Sequence, residues 1–126
     1  MNIHRTLYTK LFFRDRFLLA FLVVSLGINA FVWANIFLKM DILAQPQREF
    51  ILLHYKVFLG PDYYAAWQTI FFLPAIGLGI IILNYYLGFR AYHYQRLISY
   101  SVHCGSALCQ AIILLAVLLI IQINIF

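Results

Sequence analysis

Three stretches without a single Asp, Glu, Lys or Arg, Phe17–Leu38, Tyr63–Phe89 and Leu97–Phe126, take up 22, 27 and 30 of the 126 residues. A helix rising ~1.5 Å per residue needs about 20 apolar residues to cross a ~30 Å hydrocarbon layer, so each stretch is long enough to span. Composition agrees: 65% of the chain is apolar and 10% charged, against roughly 45–50% and ~25% in a soluble domain. The alternation of an outer-membrane barrel strand is missing from these runs. The fold class expected is all-α, an integral membrane three-helix bundle forming one domain.

The segments follow from the charges: 1–16 a basic cytoplasmic segment, 17–38 the first span, 39–62 an external loop, 63–89 the second span, 90–96 a cytoplasmic loop and 97–126 the third span. The net charge of +5 resolves into six Lys and Arg (Arg5, Lys10, Arg14, Arg16, Arg90, Arg96) on the side of the N-terminus against three (Lys39, Arg48, Lys56) across the membrane. That bias predicts a cytoplasmic N-terminus and an external C-terminus in an inner membrane. With so few charges it does not describe a nucleic-acid surface. Trp33, Tyr63, Tyr64 and Trp67 fall at the outer boundary, and Tyr8, Tyr85, Tyr86, Tyr92, Tyr94 and Tyr100 near the inner one, as interfacial belts do. The first apolar run is too long for the ~7–15-residue core of a secretory signal and reads as a signal anchor. Ahead of it, Ile3, Leu7 and Leu11 recur every four residues, the pattern of a short basic helix on the inner leaflet.

In lipid, helices associate through small residues that permit close approach and through interhelical hydrogen bonds. Gly27, Ala30 and Ala34 form one ridge on the first helix, Ala75 and Gly79 one on the second, and Ser101, Gly105 and Cys109 one on the third. The short second loop predicts an antiparallel hairpin of helices two and three turning near His93. That register sets Gly77 level with Cys109, and Asn84 level with Val102 and His103. Pro74, within the second span, predicts a kink.

Ser99, His103, Ser106 and Gln110 fall within about 60° on a helical wheel, opposite the Ser101-Gly105-Cys109 ridge. Buried polar groups are costly in hydrocarbon, so this stripe is expected to face protein, water or a bound group. Its partners could be Ser25 and Asn29 of the first helix, Asn84 of the second, or another subunit. An oligomeric pore lined by the stripe is a further possibility. His103 is the one histidine within a span, and therefore the candidate ligand should the chain hold haem b or a quinone. Otherwise no cofactor, metal site or catalytic residue is expected: no CxxC, HExxH, GxGxxG or phosphate-loop pattern occurs. Cys104 and Cys109 lie about 7.5 Å and 140° apart on a helix, too far for a disulfide or a shared metal.

Within the external loop, after the Pro46 turn, the segment 50–59 reads FILLHYKVFL. As a strand it sets Ile51, Leu53, Tyr55, Val57 and Leu59 on one wholly apolar face; the alternative is a short interfacial helix. Either form is a candidate surface for a partner, or folds back over the bundle. Gly60-Pro61 ends the segment and Asp62 is placed to cap the second helix. Leu53-His54-Tyr55, Gly60 and Trp67, followed by Pro74, Gly77 and Ile82-Leu83-Asn84, resemble a group of small uncharacterised multi-pass membrane proteins of candidate-phylum (patescibacterial) bacteria, over about residues 50–123. The resemblance implies a bacterial inner membrane and no particular activity. The functional expectation is a non-enzymatic membrane protein whose partners are the bilayer and either a membrane protein or a second copy. It would act as an accessory or scaffold subunit, or as a homo-oligomer, by helix packing and its external segment. A haem- or quinone-associated anchor using His103 is the alternative.

Overall fold

One acid, Asp15, breaks the N-terminal helical stretch in two. Helix α1 runs Asn2–Arg14 and α2 runs Arg16–Leu38; between them Asp15 is extended, and its carboxylate accepts from the Phe17 amide at 3.0 Å, an N-cap that starts α2. Strands β1 (Phe50–Lys56) and β2 (Gly60–Ala66) follow, then a 3-10 segment, Trp67–Phe71, that leads into α3 (Phe72–Tyr92); α4 (Arg96–Ile125) ends the order. This computed structural model describes residues 2–39, 41, 50–56 and 60–125. Among them, three helices are long and apolar enough to cross a membrane: Arg16–Leu38, the continuous Trp67–Tyr92, and Arg96–Ile125. In each, 22–28% of the most apolar window is buried within the chain, so most of the apolar surface faces outward, as a lipid-facing bundle requires.

The architecture is the all-α three-helix bundle with an α3–α4 hairpin. A turn of three residues, His93–Gln95, closes it, with the Tyr94 and Gln95 amides both donating to the Ala91 carbonyl at 2.9 Å. The turn is shorter than the 90–96 loop read from charge, because Arg90 and Arg96 belong to the helices themselves. Gln110 meets the Gly77 carbonyl, and Ser99 the Gly88 carbonyl, at 2.9 and 2.8 Å. Both pairs reflect about a point between His93 and Tyr94, so the register differs by one residue from the Gly77–Cys109 level expected.

Two local expectations are corrected. Tyr63–Ala66 is strand rather than helix, because β2 pairs antiparallel with β1 (Phe50 with Ala66, Ile51 with Ala65, Leu52 with Tyr64), so the second span starts at Trp67. Asp62 consequently lies inside β2 and does not cap a helix; Ala66 precedes the 3-10 segment without any side-chain cap. Pro74 stands at the third residue of α3, just past the change from 3-10 to α-helix within the continuous Trp67–Tyr92 helix.

Apolar clusters close both ends of the bundle. At the end that carries β1 and β2, Val32, Ile36, Ile70 and Val117 cluster with Ile51 of β1, all of them fully buried. At the basic end Phe12 packs with Leu18 and Tyr92, its ring making edge contacts with Tyr85, Phe89 and Tyr92 at 5.1–5.4 Å. Phe12 thus anchors α1, whereas Ile3 and Leu7 of the expected apolar stripe are exposed.

Candidate functional site

Between the two apolar ends the bundle interior is polar. Buried positions on α2 include Ser25, Asn29, Val32 and Ile36; on α3, Pro74, Gly77, Ile81 and Gly88; on α4, Ser99, His103, Ser106, Gln110 and Val117. All advance by three, four or seven residues, the spacing that keeps one seam of a helix facing its neighbours. At mid-bundle Asn29 Nδ2 donates to Gln110 Oε1 and to the Pro74 carbonyl, both at 3.0 Å, and Gln110 Nε2 donates to the Gly77 carbonyl. Three helices are thereby tied at one level by two side-chain amides. Gly77 makes this possible: a Cβ there would stand 2.8 Å from both Asn29 Nδ2 and Gln110 Oε1.

One and two turns along α4, toward the basic end, lie Ser106 and His103, then Ser99. The His103 Nδ1 bonds to the Ser99 carbonyl at 2.9 Å, and since a carbonyl only accepts, Nδ1 carries a proton, so that in the neutral tautomer Nε2 has the lone pair. His103 Nε2 and Ser106 Oγ are both buried without a hydrogen-bond partner among the described residues. The imidazole is walled by Phe12 and Tyr85, with centroids 6.1 and 5.9 Å away, and lies against Gly88, where an added Cβ would fall on the ring.

At the basic end the Asp15 carboxylate accepts from the Tyr100 hydroxyl at 2.6 Å and from Tyr92 at 3.1 Å, joining the α1–α2 junction to the end of α3 and the start of α4. Burial pushes this carboxyl up, but the bonds from Tyr100 and Tyr92 and from the Phe17 and Leu18 amides outweigh it and hold it below its ordinary value. The Arg96 guanidinium lies over the Tyr92 ring at 5.6 Å.

The sequence-derived sites separate into two groups. The stripe Ser99, His103, Ser106 and Gln110 is buried together, and Asn29 is its partner; Asn84 is half-buried, and no hydrogen bond joins it to the stripe among the described residues. The small-residue ridges are a correction. Gly27, Ala30, Ala34, Ala75, Gly79 and Ser101 are exposed, Gly105 and Cys109 half-buried, and a methyl on Gly27, Gly79 or Gly105 would meet no atom within 4 Å. Helix contact runs instead through Gly77 and Gly88, because the polar stripe of α4 needs the backbone carbonyls that glycines leave open. Of the apolar face proposed to meet a partner, Ile51 is fully buried inside the chain; Leu53 and Tyr55 lie on β1, where the pairing is irregular between Leu52 and Tyr55. Val57, Leu59 and the Pro46 turn lie outside the described residues. Asp15 and Gly88 escaped the sequence reading, although a lone acid within a basic segment was the available signal for the first. Compared with protein-family models, with curated proteins and with solved structures, the chain matches none.

Proposed function

We propose that the chain is a non-enzymatic accessory or scaffold protein of a bacterial inner membrane, with its N-terminus cytoplasmic and its C-terminus external. It assembles in the bilayer with a second copy or with a larger membrane complex. The observation that carries this reading is a division of labour between faces. Asn29 and Gln110 satisfy one another and two backbone carbonyls inside the chain, while the small-residue ridges lie outward and unfilled. Small residues on an outer face allow another helix to approach closely, the chief source of association where apolar side chains gain nothing over lipid. Cys104 is exposed three residues after Ser101, at the edge of that face. Mild oxidation of native membranes is expected to give a covalent dimer or a mixed disulfide adduct that Cys104→Ser abolishes. A chain that stays uncrosslinked and purifies alone as a monomer would overturn the proposal.

One observation favours a second reading, the haem- or quinone-associated anchor: His103 Nε2 has a free lone pair at membrane depth. Ligation there would require Phe12 or Tyr85 to give way. A Soret band in the mildly solubilised protein, lost in His103→Ala, would establish haem ligation over the scaffold reading; a colourless preparation would remove it.

A further inference from the structure

A cleft of about 460 Å³ opens at the basic end between α1 and the last turn of α3. From α1 it is lined by His4, Arg5 and Tyr8, and from α3 and the turn beyond by Arg90, His93 and Tyr94. The first set is spaced i, i+1, i+4 and the second i, i+3, i+4, near neighbours in a helical turn, so each side of the cleft contributes one guanidinium and one imidazole to the same space. Among the described residues no carboxylate lines it. Asp15, the acid of this end, is engaged by Tyr92 and Tyr100 instead. Two arginines brought together without a counter-charge repel, and an anion between them would relieve that repulsion. The aromatic rings give the cleft shape: His93 is held edge-on by Tyr8 at 5.6 Å and by Phe89 at 5.4 Å.

We propose that this cleft binds a phosphate group, carried either by an anionic phospholipid or by a soluble phosphate. Guanidinium forks match phosphate oxygens two at a time, and the imidazole nitrogens and tyrosine hydroxyls supply further donors. The cleft lies where the second span ends, at headgroup depth, and basic pockets between helices at that level take anionic headgroups. The site is independent of the scaffold reading, since it involves neither the outward ridges nor His103.

The test uses the full chain in neutral detergent, reading the unfolding midpoint on addition of dioleoylphosphatidylglycerol, dioleoylphosphatidylcholine or inorganic phosphate. Binding to the folded chain raises the midpoint with dose. A rise with phosphatidylglycerol that exceeds the rise with phosphatidylcholine identifies a lipid source, and a rise with inorganic phosphate alone a soluble one. Arg5→Gln with Arg90→Gln is expected to remove at least half of the rise, and either change alone to reduce it. Arg14→Gln with Arg16→Gln, at the same end but outside the cleft, is expected to keep it. No rise with phosphatidylglycerol or phosphate, an equal rise with phosphatidylcholine, a full rise in the Arg5/Arg90 variants, or an equal loss in the Arg14/Arg16 variant would each overturn the proposal.

Discussion

The missing side chain of Gly88 sets the approach of α3 to α4. Any Cβ there would fall on the His103 imidazole, and Ser99 Oγ, which bonds to the Gly88 carbonyl, would stand 3.3 Å away. The ring cannot retreat easily, because Phe12 and Tyr85 flank it. Gly88→Ala is therefore expected to destabilise the bundle by about 1–3 kcal/mol, the usual cost of overpacking. Gly105→Ala, facing open space, should be neutral or stabilising by up to ~1 kcal/mol from helix propensity. Thermal unfolding in detergent compares the two, and the opposite ranking would put the helix seam on the other face of α4. For the amide pair, a cycle of Asn29→Leu and Gln110→Leu should show a coupling of about 0.6 kcal/mol and at most about 1.7, as interhelical hydrogen bonds in membranes do. No coupling would mean that each amide works only with its carbonyl, Pro74 or Gly77. The polar stripe was legible because four polar residues on an apolar helix can share a face only for a reason. The glycines were misread because a search at spacing four finds Ala75-Gly79 and passes over Gly77 and Gly88, whose eleven-residue separation is three turns of the same seam.

Among the elements, α1 depends most on chemistry a single charge can change. It meets the bundle through Phe12 and through the Asp15 junction, where one carboxylate caps α2 and receives the Tyr92 and Tyr100 hydroxyls. Folding lowers the Asp15 pKa from its ordinary 3.8, so its ionised form is favoured in the folded chain. The stabilisation is then complete above that ordinary value and is lost as pH falls through the depressed one. Amide protection of α1 by hydrogen exchange should accordingly stay level from neutrality to about pH 4 and decline below it. Asp15→Asn, which keeps a capping side chain, should remove the acid-side decline; an undiminished decline would assign it to another group. The helices were legible as elements because charge-free runs of this length have few other folds available. The β1–β2 hairpin was half legible: alternation marked β1, but Tyr63-Tyr64-Ala65-Ala66 is apolar, adjoins the second span and reads as its first turn. Pairing with Phe50–Leu52 decides otherwise, and such pairing is non-local. Pro61 is tolerated in β2 because a two-stranded hairpin has only edge strands.

At the scale of the whole molecule, three crossings place the N-terminus and the His93–Gln95 turn at one end and the hairpin with the C-terminal turns of α4 at the other, where Ile51 is packed with Val117 and Ile120. The two ends differ in charge. Arg5, Lys10, Arg14, Arg16, Arg90 and Arg96 lie at the first with Asp15, whereas in the sequence between the first two spans Lys39, Arg48 and Lys56 are matched by Asp41, Glu49 and Asp62. Basic residues close to span ends resist translocation, so the six-to-three excess is expected to orient the bundle with its tight turn in the cytoplasm. A reporter fused after Phe126 that works only outside the cytoplasm should be active, and one that works only inside should be silent; the reverse pair would invert the map. The same physics gives a sharper form of the experiment. Replacing Arg90 and Arg96 by Gln leaves four basic residues at the first end against three at the second, a bias of one, and should yield a mixed population active with both reporters. An unaltered reporter pattern would show that the N-terminal segment sets the orientation by itself, with Arg5, Lys10, Arg14 and Arg16 as the determinant.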